Sequence, residues 1–126
     1  MSYINITKLD PDLNLWDKGL DFYKDELSVL EKRLLEVADK NNSQDALQGL
    51  EHFQNQFMIQ RKNIQDIKHD VRKYKADISA DIQHHAGRVN EDLVEDGRSV
   101  RNKYENFEKI MNGLRHEFNT YLGKWM

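Results

Sequence analysis

The sequence predicts an all-α protein: an antiparallel, coiled-coil-like bundle of three long helices, preceded by an extended N-terminal arm. Three observations predict it. Apolar residues recur at steps of 3 and 4 along three separate stretches, the period of one helix face and close to a coiled-coil heptad. Glycine and proline are scarce, six and one in 126 residues, which argues against a turn-rich β fold. Charged residues make up 33% against 38% hydrophobic, a balance that suits slender bundles with much surface for their core. A chain of this length fits one domain, residues 1–126.

Residues 1–9 hold Tyr3, Ile4, Ile6 and Leu9 without a helical period and read as the arm. Helix 1, expected at 10–40, starts at Asp10-Pro11-Asp12. Asp10 can cap it, and Pro11 suits the first helical position because its missing N–H loses nothing there. Its face is Leu13, Trp16, Leu20, Tyr23, Leu27, Leu30, Leu34 and Val37, and it stops near Lys40-Asn41-Asn42.

Helix 2 is expected at 43–86, capped by Asn42 or Ser43, with Asp45 three residues after Asn42 as in a capping box. Its face is Leu50, Phe53, Phe57, Ile64, Ile67, Val71, Tyr74 and Ile78, with polar Gln60 in an apolar slot. It should end around His84-His85-Ala86-Gly87, Gly87 serving as a left-handed C-terminal residue. Asn90 then caps helix 3, expected at 89–124, and Glu91 and Asp92 suit its first turn. Its face is Leu93, Val100, Tyr104, Phe107, Met111, Leu114, Phe118, Tyr121 and Trp125; Gly97 falls on that face and marks close packing or a weak turn.

At ~1.5 Å per residue the helices are roughly 45, 60 and 50 Å long. Folding back at Asn41-Asn42 sets Leu34 beside Leu50, Leu27 beside Phe57 and Leu13 near Val71. Helix 1 therefore runs out first, leaving Ile78, Ile82, Val89, Leu93 and Val94 at a two-helix tip. Either the arm covers that tip, since extended chain reaches ~3.3 Å per residue, or a second copy does so across a two-fold axis.

The composition narrows function mainly by exclusion. A net charge of −3 gives no general attraction to phosphate backbones or anionic lipid. Arg61, Lys68, Arg72 and Lys75 share a face of helix 2, but interspersed Asp66 and Asp70 mark a solvated surface, so no nucleic acid is expected. The longest strongly apolar run, Phe57-Met58-Ile59, is far short of a membrane span. Without cysteine there are no disulfides or thiolate metal sites. The first eight residues lack the pattern of a secretion signal, and a cytoplasmic protein is expected. No nucleophile arrangement or phosphate-cradling glycine loop occurs, so neither catalysis, cofactor nor small-molecule substrate is expected.

Asp66/His69 and Asp81/His84 each place a carboxylate and an imidazole one turn apart, but on the same helix and ~22 Å from each other, so they cannot share an ion. Asp66 and His69 flank core Ile67 and should point outward. No metal site is expected; Asp81, His84 and His85 are the candidates should the acidic tip take one. The alternative function is thus a metal- or pH-responsive protein acting through the tip at 77–98.

Helix 1 carries a second apolar row, Leu15, Phe22 and Val29, spaced by 7, and Met58 and Ile59 lie off the main face of helix 2. These residues either broaden a face that touches two neighbours or form an exposed band. The leading expectation is a non-catalytic interaction or structural module that presents a rigid surface to another helical protein or to itself, as in a homodimer. Leu15, Phe22, Val29, Met58 and Ile59 are its expected partner-binding residues.

Overall fold

The structure, a computed structural model, describes residues 3–5, 10–84 and 88–126, and side chains over 12–81 and 92–126. Its elements are β1 (Tyr3–Asn5), α1 (Asp10–Lys40), α2 (Gln44–His84), β2 (Arg88–Asn90) and α3 (Glu91–Trp125). The three helices form an all-α bundle. α1 spans the expected residues. α2 starts one residue later than expected because Ser43, of the two candidate caps, is the one used: its Oγ accepts the Ala46 N–H at 3.2 Å.

Side-chain pairs fix the directions. Glu31 bonds Arg61 and Asp21 bonds Lys68, so α1 and α2 are antiparallel. Lys103 reaches Asp70 at 2.9 Å and His52 reaches Glu117 at 2.7 Å, so α2 and α3 are antiparallel too. α1 and α3 run parallel, joined by Arg115 to Glu26 at 2.9 and 2.6 Å and Arg101 to Asp12 at 3.3 Å. Gly19 meets Tyr104 and Gly97 meets Tyr74. Seven residues back from each of Gly19 and Tyr104 are Asp12 and Gly97, so Asp12 stands level with Tyr74, within one turn of the register that puts Leu13 near Val71.

The apolar stripes close on one another. All eight residues of the α1 stripe are buried, as are Phe53, Phe57, Ile64, Ile67, Val71, Tyr74 and Ile78 on α2. On α3 Val100, Tyr104, Phe107, Met111, Leu114 and Phe118 are buried, and Leu50 of α2 with Leu93 and Tyr121 of α3 packs at the margin. Gln60 occupies its apolar slot at 3% exposure, and its Oε1 accepts a hydrogen bond from Asn63 Nδ2 at 3.0 Å. That partner makes a buried amide tolerable in an otherwise apolar layer.

Two features hold the ends. At one end the Asn41 amide donates to the carbonyls of Val37, at 3.1 Å, and Trp125, at 2.8 Å, tying the last turns of α1 and α3. The Trp125 carbonyl is one that a helix end leaves without an intrahelical partner, whereas the Val37 carbonyl also accepts the Asn41 backbone N–H at 3.0 Å. At the other, α2 runs past the start of α1, and β1 pairs antiparallel with β2: Tyr3 opposite Asn90, Ile4 opposite Val89, Asn5 opposite Arg88. The arm is therefore the element that lies at the tip. It does so as a ribbon of two three-residue strands rather than an unpaired extension. Because β2 takes up residues 88–90, α3 begins at Glu91, two residues later than expected. The expected terminator Gly87 and the expected capping side chain of Asn90 lie outside the described residues.

Candidate functional site

The buried stripe of α1 uses up the side of the helix that faces the other two. Leu15 comes one residue before buried Trp16, and Phe22 one before buried Tyr23, which turns each ~100° out of the core. Leu15, Phe22 and Val29 are accordingly 62%, 59% and 58% exposed. They are not a broadening of the core face, because the stripe already reaches both neighbours. Seven-residue steps stack them two turns apart, ~10.5 Å each, in a straight apolar row on a rigid helix.

The surroundings of the row are charged. Asp12 and Glu26 reach across to α3, whereas Asp21, Ser28 and Glu31 reach α2, which places the row on the outer, α3-facing side of α1. Residues three and four ahead of an apolar row member flank it on either side. On one side these are Lys18, Asp25 and Lys32, all exposed; on the other, Asp12, Gly19, Glu26 and Arg33. The Phe22 ring stands edge-on to Tyr23 at 5.3 Å, and Tyr23 stands edge-on to Phe107 at 5.4 Å, so the row is anchored through aromatic contacts into the core.

Met58 and Ile59 are also exposed, at 66% and 49%, but they do not extend this row. Met58 lines an open groove of about 400 Å³ between α1 and α2, with Leu34 and Phe57 and with Leu35 and Glu31 among its walls. Ile59, one residue on, is turned ~100° away from it. The five expected partner-binding residues are thus divided between two helices, and only the three on α1 form one row. Leu35, 60% exposed and not among the five, belongs with Met58. Its signal is the adjacent pair Leu34-Leu35, of which a helix can turn only one inward.

The charged candidates are dispersed. On the basic face of α2, Arg61 is engaged by Glu31 and Ser28, and Lys68 by Asp21, whose carboxyl the Lys68 hydrogen bond holds below its usual range. Arg72 and Lys75 are exposed. Asp66 and His69 both point outward, as their places beside Ile67 imply. At the tip Asp81 is half-buried, while the side chain of His84 and all of His85 lie outside the described residues. Among the described residues no group of three or more His, Asp or Glu side chains is placed to hold a metal ion. Among the described residues no helix is long and apolar enough to cross a membrane.

Among the described residues the interior titratable groups are tyrosines. Burial pushes the Tyr104 hydroxyl up to about 12, with Glu108 adding to the shift. Burial also raises Tyr23, whose hydroxyl donates to Glu108 at 2.9 Å, and raises Tyr74 and Tyr121. A folded-state value above the unfolded 10.0 makes a contribution that is complete below pH 10 and is lost as pH rises towards 12. Unfolding free energy should therefore fall steeply across that alkaline window. Denaturant melts at stepped pH, read beside tyrosinate absorbance, check it; tyrosines titrating at their free value while the helices persist would contradict it.

Compared with known proteins, the chain matches no family model, no curated protein and no solved structure.

Proposed function

We propose that the chain is a non-catalytic interaction module, whose working part is a rigid helical surface offered to another helical protein or to a second copy. The observation that supports this reading is the α1 row: three large apolar side chains, each about three-fifths exposed, in line and flanked by charge. Leaving them in water forgoes burial worth ~1.5–3 kcal/mol per side chain. A partner helix laid along α1 recovers it, in the way amphipathic helices recognise grooves and seams.

Within this reading the module acts through shape, without a reaction, cofactor, nucleic acid or membrane. The pairing of Arg61 and Lys68 with acids of α1 supports the absence of a phosphate-binding face. We place it in the cytoplasm, in keeping with a cysteine-free sequence.

The test is a variant carrying Leu15→Glu, Phe22→Glu and Val29→Glu. Exposed sites tolerate substitution within about ±0.5 kcal/mol each, so its melt should stay close to that of the parent chain. Its association, followed by light scattering or by binding to a partner, should be lost. A variant that unfolds, with association unaffected whenever it is folded, would show the row to be structural and sink the proposal.

A further inference from the structure

Resting on that reading of the α1 row, we infer that its occupant is α1 of a second copy of this chain, laid antiparallel across a two-fold axis at Phe22. The inference comes from the charges beside the row. In an antiparallel pair about such an axis, the residues flanking the row on one side meet the same side of the other copy, and levels add to twice the axial residue. Centring on Phe22 sets Leu15 against Val29 of the second copy, Phe22 against itself, and Val29 against Leu15. All three apolar side chains are then covered, large against smaller at the ends.

The flanks agree within one residue of level. On one side Lys18 comes opposite Asp25 of the second copy, and Asp25 opposite its Lys18. On the other, Asp12, which also holds Arg101 of its own chain, comes opposite Arg33, which also holds its own Glu36. These two meetings share charges already paired, so the Lys18–Asp25 meetings carry the argument. The two-fold axis repeats each contact, giving four opposite-charge meetings. Lys18 and Asp25 are exposed and make no ion pair with another described residue of their own chain, so they are available for it.

The parallel arrangement fails on the same residues. There equal levels meet and opposite flanks face each other, bringing Asp25 against Glu26 and Lys32 against Arg33 of the second copy. Like charges at that distance oppose association, so the pattern selects direction as well as partner. A seam of three side chains per copy belongs to the small class of interfaces, which makes the dimer one of modest affinity, filled only as concentration rises.

The experiment is sedimentation equilibrium or light scattering of the full chain from micromolar to millimolar concentration, with circular dichroism melts of every variant. The parent chain is expected to double in mass. Phe22→Glu should remain monomeric with an unchanged melt. Lys18→Asp alone and Asp25→Lys alone should each weaken dimerisation about tenfold, or ~1.4 kcal/mol, because the two-fold axis makes each change act at two contacts. The double reversal should restore it, because each new charge again meets its opposite. Since the chain has no cysteine, single introduced ones report direction. Phe22→Cys should cross-link to itself, and Leu15→Cys should cross-link to Val29→Cys but not to itself.

A parent chain that stays monomeric throughout overturns the inference while leaving the interaction module to be tested on a different partner. A dimer that survives Phe22→Glu, or a Leu15→Cys chain that cross-links to itself, overturns it in favour of a different face or a parallel pairing. Loss of folding in Phe22→Glu would count against the surface reading itself, and the charge reversals, which leave the apolar row intact, would still decide direction.

Discussion

Replacing Phe118 by alanine should lower stability by about 3–5 kcal/mol, while replacing Phe22 by alanine should leave it within about ±0.5 kcal/mol. Phe118 is fully buried and stands at the centre of an aromatic group on α2 and α3. Its ring lies edge-on to Phe53 at 5.0 Å and to Phe57 at 5.2 Å, and is stacked with Tyr121 at 6.1 Å. Truncation removes the transfer energy of the ring and leaves a void that three bulky neighbours cannot all move to fill. Such ring pairs add ~0.5–1.5 kcal/mol beyond area, so the cost sits in the upper part of that range. Against a total stability of ~5–15 kcal/mol for a domain, this is a large fraction. Phe22 is 59% exposed in the isolated chain, and alanine is a better helix former than phenylalanine. Paired denaturant melts at a concentration too low for association decide the matter. Equal losses for the two would mean that Phe22 is a core residue and that no free row exists on α1.

The contrast between two phenylalanines shows what was readable in the residues. Phe118 belongs to a run in which every third or fourth residue is apolar, and that period alone assigns it to the interior. The same reasoning found every buried residue of α1 and placed its ends. It located Leu15, Phe22 and Val29 as a row but could not decide whether they were inside. Burial there depends on how far round the helix its neighbours reach, and that is a property of two crossing angles. Leu35 stands out in no row because no apolar residue lies seven places on either side of it. The ribbon of β1 and β2 was legible only as an extended arm: three residues carry too little alternation to announce a strand, and their partner lies more than 80 residues away. The link from Asn41 to the Trp125 carbonyl has the same character. Asparagine at a helix end is ordinary, and only the parallel alignment of α1 with α3 gives it a second acceptor.

Glycine was the least legible residue of all, and it yields the second large effect. Alanine at Gly113 or Gly123, where nothing lies within 4 Å of a new Cβ, should stabilise the chain by about 0.5–1 kcal/mol through helix propensity. Alanine at Gly19 or Gly97 should do the opposite. A Cβ at Gly19 would lie 1.8 Å from the Tyr104 hydroxyl oxygen, and one at Gly97 would lie 2.3 Å from that of Tyr74. Each glycine is the notch into which a tyrosine of the neighbouring helix is set, Gly19 on α1 for α3 and Gly97 on α3 for α2. Both rings are buried, at 7% and 3% exposure, so neither has room to swing aside. Overpacking of this kind costs ~1–3 kcal/mol after relaxation, enough to overcome the propensity gain and reverse its sign. Tyr104→Phe removes the atom in closest contact and leaves the next at 2.8 Å, so the penalty of Gly19→Ala should shrink in that background without vanishing. Tyr74→Phe should by itself be neutral or stabilising, because the Tyr74 hydroxyl is the one buried polar side-chain atom among the described residues without a hydrogen-bond partner. A double-mutant cycle on Gly19 and Tyr104, with Gly113→Ala as the open-site control, measures the coupling directly. Stabilisation by alanine at all of these positions would mean that the helices do not approach closely enough for the notches to exist, and with that the packing of α3 against both its neighbours would have to be redrawn.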